Sequence, residues 1–121
     1  MPATILLIGY FPFIFTVIAI VIEGVIFFQM KWAGLKGAMR DAVIANLAAL
    51  VVVALLSQLI LGFGHVFASL LAALIVSIIV EGFVLFMLRQ RSLKASYRVA
   101  LIGNAAAFLF AYMYVASFAI L

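Results

Sequence analysis

Apolar residues in this chain neither alternate nor collect on one helical face; they come in four long runs. The first extends from about Ile5 to Met30, the second from Ala42 to Leu61, the third from Val66 to Leu88 and the fourth from Val99 to Leu121. A helix needs about 20 mainly apolar residues to cross a bilayer, and continuous apolarity of that length predicts a spanning helix. Pro12 interrupts the first run. Either it kinks a long helix, or it opens the true span and residues 5–11 lie at the interface. No polar gap longer than about ten residues separates the runs, so the connections are short. The expected fold is all-α: four transmembrane helices in a single membrane domain, 1–121.

Composition points the same way. Of 121 residues, 72% are hydrophobic and 8% charged, with a mean hydropathy of +1.53. Soluble domains run at about 45–50% apolar and about 25% charged, and a chain this short has no core large enough to hide the surplus. A soluble enzyme, a disordered chain and a free nucleic-acid-binding module are therefore excluded. Cysteine is absent, which removes disulfides and thiolate chemistry. No basic segment precedes the first run and no A-x-A cleavage site follows it, so the N-terminus reads as a retained span.

The placement of charge predicts orientation. Lys31, Lys36 and Arg40 lie between the first two runs, and Arg89, Arg91, Lys94 and Arg98 between the last two. The turn Gly62–His65 and both ends carry no Lys or Arg. The positive-inside rule puts both basic loops in the cytoplasm, facing lipid headgroups, and the two termini outside. Trp32 and Tyr97 then fall at the inner headgroup level, and Tyr112 and Tyr114 nearer the outer one. In the loop Lys31–Arg40, Trp32, Leu35 and Met39 share one helical side, which could rest on an anionic leaflet; simple topology-setting charge is the plainer account.

Shifted by 58 residues, the sequence aligns with itself. Residues 20–49 match residues 78–107 at 12 of 30 positions without a gap, where this composition alone gives roughly three. The matches include Glu23, Lys36, Arg40 and Asn46, residue types that are rare in this chain. The expectation is two tandem hairpins, about 5–63 and about 66–121. An even number of spans per unit gives both copies one orientation, related by a pseudo-two-fold axis along the membrane normal.

The repeat carries polar residues into the spans. Glu23 lies eight residues before Lys31, and Asn46 six after Arg40, which puts them about 12 and 9 Å from the basic end. Glu81 and Asn104 repeat both spacings. Each hairpin can therefore pair its own carboxyl with its own amide. An acid at that depth normally faces protein or a water-filled cavity, and it is either protonated or balanced by a cation or a basic side chain. Gly24 and Gly82 follow the acids, and Ala42, Ala45, Ala49, Ala100, Gly103 and Ala107 accompany the amides. Small residues let helices approach closely, so the second and fourth spans are expected nearest the pseudo-axis.

Two functions fit these residues. Glu23, Glu81, Asn46 and Asn104 form a proton or cation site in a small transporter or transporter component. Alternatively the pairs only lock hairpins, and the chain is a non-catalytic subunit of a larger membrane complex. In that case the Phe-rich segment 9–15 is a docking strip. Four helices enclose little volume, so transport calls for a homo-oligomer or a larger partner. Asp41 has no repeat counterpart (Val99) and is expected to pair with a nearby loop cation; Ser57 and Gln58 also lack counterparts and are expected at the outer interface. His65 is the single histidine and lies in the external turn, where a solvated loop residue is the plain reading. No G-x-S-x-G, H-E-x-x-H, phosphate loop or Cys/His cluster is present, so neither catalysis nor a metal or other cofactor is expected.

Overall fold

A computed structural model describes residues 2–62, 64 and 66–120, with side chains for 14–60, 62, 64, 68–69, 71–114 and 116–117. The described residues are all-helical. The helices are α1 (Pro2–Gln29), α2 (Leu35–Leu55), the short α3 (Ser57–Leu61), α4 (Val66–Arg89) and α5 (Leu93–Ile120). α1 runs unbroken through Pro12, so the proline sits inside a helix rather than opening one. α2 and α5 begin earlier than the apolar runs do. Lys36, Arg40, Lys94 and Arg98 therefore lie in the first two turns of these helices instead of in loops. α2 ends at Leu55 and α3 restarts at Ser57, where the apolar run had predicted one helix to Leu61. Among the described side chains, α2 and the Leu71–Arg89 stretch of α4 are long and apolar enough to cross a membrane, and Ile14–Gln29 of α1 is a shorter apolar stretch.

The short connections are built from local caps. After α1, Lys31 takes φ 60, Trp32 N–H donates to Phe27 O at 2.9 Å and Lys31 N–H to Phe28 O at 3.0 Å. This left-handed closure satisfies the last carbonyls and folds the Trp32 side chain back beside Phe27, where both are buried. Ser92 caps α5: its hydroxyl accepts from Ala95 N–H at 3.1 Å and its carbonyl from Ser96 N–H at 3.0 Å. Gly34, the residue 58 positions earlier, occupies the same place before α2 without a side-chain cap.

The four long helices form a ring. α1 packs on α2 and α5, and α4 packs on α5 and α2; among the described residues the backbones of the diagonal pairs α1/α4 and α2/α5 stay more than 8 Å apart between Cα atoms. α2 and α5, expected nearest the pseudo-axis, are diagonal partners in this ring. Small residues on α2 and α5 serve the neighbour contacts, and the polar side chains occupy the middle. Close approach is visible at the glycines. Met39 of α2 occupies the space a Gly24 side chain would need, and the Tyr97 ring of α5 does the same at Gly82. These two contacts are themselves 58 residues apart.

Large and small residues are distributed inside out relative to a soluble bundle. Alanine is the commonest buried residue, and Glu23, Asp41, Asn46, Glu81, Ser96 and Asn104 are buried beside it. The exposed face carries Val21, Val51, Leu55, Leu59, Ile79, Phe83, Met87, Leu109 and Met113, each at least half exposed. Burial recurs at the 58-residue offset: Glu23 and Glu81, Phe27 and Leu85, Ala38 and Ser96, Ala42 and Ala100, Asn46 and Asn104 are buried in both halves.

Candidate functional site

Glu23 of α1, Asn46 of α2, Glu81 of α4 and Asn104 of α5 converge at one level inside the ring. Their helices carry them there for the same reason twice over: each acid is followed by a glycine that admits the neighbouring helix, and each amide sits among alanines. Both acids are 1% exposed. Asn46 donates from Nδ2 to Ala42 O at 2.8 Å, and Asn104 to Ala100 O at the same distance. This bond to the preceding turn anchors each amide on its own helix and aims the rest of it inward.

The hydrogen bond between an acid and an amide joins the two halves of the chain: Asn104 Nδ2 donates to Glu23 Oε1 of the adjacent α1 at 3.4 Å. Oε2 of Glu23 and Oε1 of Glu81 are buried without a donor among the described residues.

A cavity of about 180 Å³ rises from this layer away from the basic end. Four residues of each long helix line it: Phe15, Thr16, Ala19 and Glu23 from α1; Asn46, Ala49, Leu50 and Val53 from α2; Ala73, Leu74, Ser77 and Glu81 from α4; Asn104, Ala107, Phe108 and Ala111 from α5. These are eight pairs, every one separated by 58 residues. The acids and amides form its floor, and the walls extend about 10–12 Å along the helices. Below the floor, Phe27, Leu85, Ala38, Ala42, Val99, Ala100 and Trp32 pack as a solid apolar plug. Phe15 thus faces the cavity rather than serving an outer docking strip; the side chains of residues 9–13 of that strip lie outside the described residues, as does His65.

The basic end holds a network that sequence reasoning missed. Asp41 is fully buried. Its Oδ2 accepts from Trp32 Nε1 at 2.9 Å and from Arg89 Nε at 2.7 Å. Arg40, the adjacent loop cation, comes only to 3.5 Å of Oδ1, so the principal partner belongs to the other hairpin. Gly37 makes room for it: a Cβ there would lie 2.6 Å from an Arg89 nitrogen. Arg91 donates to Lys31 O at 3.2 Å and Trp32 O at 3.0 Å, and stacks 5.3 Å from the Trp32 ring centre. Of the seven basic residues assigned to lipid-facing loops, Arg89 and Arg91 are thus turned onto protein. Lys31, Lys36, Arg40, Lys94 and Arg98 are exposed. Trp32 is buried in the plug, because the left-handed turn at Lys31 folds it back against protein. Tyr97 is half-buried, its hydroxyl donating to Ile79 O at 3.0 Å.

Among the described residues no group of three or more His, Cys, Asp or Glu is placed to hold a metal ion. In comparisons with known proteins, no family model matches the chain, and neither a curated protein nor a solved structure does.

Proposed function

We propose that this chain is a small polytopic membrane protein whose duplicated Glu/Asn pairs handle a proton or a monovalent cation, as a transporter or part of one. The single observation that carries this reading is the floor of the cavity. Two acids, one from each half of the chain, meet there beside open space and away from any basic side chain among its lining residues. A buried acid in a spanning helix is costly unless it is paired or faces a solvated path, and here it does face a cavity.

The membrane setting is part of the proposal. All four long helices span, in two tandem hairpins, with both termini outside and the basic loops in the cytoplasm. The inside-out distribution of large apolar residues and the recurrence of burial at 58 residues support it. On this orientation the cavity opens toward the outer side, and the plug with the Asp41–Arg89 pair closes the inner side. The lining comes from one chain, so the site does not depend on a second copy, although association into a homo-oligomer or a larger complex is compatible with the exposed apolar face. A purely structural subunit accounts for that face as well, but gives no reason for a cavity ending on two acids.

Reconstituted into proteoliposomes, the wild-type chain is expected to pass protons or monovalent cations down an imposed gradient. The double variant Glu23→Gln, Glu81→Gln keeps the shape of both side chains and removes both charges. It is expected to lose that flux while eluting from size exclusion as the wild type does. Equal flux in the two proteins would remove the proposal.

A further inference from the structure

The cavity above the acids is larger than a proton or a bare ion requires, and its walls are largely hydrocarbon. We infer that it is a binding site for a small organic monocation, with an ammonium group at Glu23 and Glu81 and an apolar body in the space above them. This inference rests on the cation-handling reading and narrows it to a ligand class.

Three observations carry it. The first is charge. Glu23 and Glu81 line the floor of one cavity, and two carboxyl groups that hold one proton carry one negative charge. No basic residue among those lining the cavity offsets that charge, so a single positive charge completes the site. The second is hydrogen bonding. Asn46 and Asn104 each spend an N–H on their own helix, and Glu23 Oε2 and Glu81 Oε1 lack donors. The floor is therefore rich in acceptors and calls for a ligand that donates; an alkylammonium brings three N–H groups. The third is shape. A cavity of about 180 Å³ compares with the apolar cavity of about 150 Å³ that admits benzene, so one ring or a short branched chain fills it. Above the floor, apart from the hydroxyls of Thr16 and Ser77, the walls are hydrocarbon, with Phe15 and Phe108 contributing rings. A bare ion that shed its water would find few further oxygen ligands there.

The test uses the full chain in lipid nanodiscs, with benzylammonium as probe and benzyl alcohol as its uncharged counterpart, read by titration calorimetry. Benzylammonium is expected to bind saturably. Benzyl alcohol, and benzylammonium with the Glu23→Gln, Glu81→Gln protein, are expected to bind roughly tenfold or more weakly. Ala107→Leu leaves both acids in place and narrows the cavity; it is expected to abolish benzylammonium binding while the protein elutes from size exclusion as the wild type does. Equal binding of alcohol and ammonium overturns the inference, since hydrocarbon alone then accounts for it. Failure of benzylammonium to bind while acid-dependent flux persists overturns it too, and leaves the proposed function standing. If flux is also indifferent to the acids, both readings fall.

Discussion

Asp41 shows what a single residue can hide from sequence reasoning. It was expected to pair with a neighbouring loop cation, and Arg40 is next to it. Yet the buried carboxylate takes its short bonds from Trp32 and from Arg89, 48 positions away. Nothing in the local pattern announces this, because the partner arrives only when α2 packs on α4, and the second copy has Val99 at the matching place. Glu23, Glu81, Asn46 and Asn104 were legible for the opposite reason. They are rare polar residues in apolar runs, and they recur at one fixed offset. What the offset could not reveal is that both acids line one cavity and that Asn104 bonds to Glu23 of the other half. The Asp41 bonds give a residue-scale prediction. Asp41→Asn keeps the volume but leaves the Arg89 guanidinium without its charge partner. A hydrogen bond to a charged group contributes about 1.5–3 kcal/mol, and the variant is expected to lose that much stability. The midpoint of thermal unfolding in detergent, compared with wild type, measures it; an unchanged midpoint contradicts the assigned pairing.

At the scale of elements, apolar run length located the four long helices but not their ends. The basic segments were read as loops because they are charged, whereas α2 starts at Leu35 and α5 at Leu93. Charge marks where a helix leaves an apolar solvent, not where its backbone hydrogen bonds stop. The break at Leu56 carried no glycine or proline and gave no signal in the sequence. The caps explain the starts. Ser92 supplies an oxygen to α5, while Gly34 supplies none to α2. Ser92→Ala is therefore expected to cost about 1 kcal/mol, and Ser92→Gly only a few tenths by the same ranking. Thermal unfolding of the two variants side by side checks the order; equal loss in both, or no loss in either, counts against the cap.

For the molecule as a whole, a single 58-residue offset relates many of the described features. It predicts that what the first hairpin buries the second buries as well, and the acids, the amides, the glycine contacts and all eight pairs of cavity-lining residues conform to the same offset. The order of helices around the ring was not legible. Small residues mark close contact without naming the neighbour, so they did not announce a ring in which α2 and α5 are diagonal partners around the polar layer. The departures from symmetry are informative in turn. The Asp41–Arg89 pair exists once, at the basic end, and joins the two hairpins there, while the cavity extends from the other side of the acid layer.

If the two acids act as one site, removing either should be as damaging as removing both, because the survivor no longer has the partner with which it shares a proton and a ligand. Groups that work as a unit show this non-additivity, whereas independent sites contribute separately. The decisive measurement is cation or proton flux into proteoliposomes for the wild type, Glu23→Gln, Glu81→Gln and the double variant, at matched protein incorporation. The account predicts that each single variant falls to the level of the double. Single variants that each retain about half the flux would contradict it, as would full flux in any of the three.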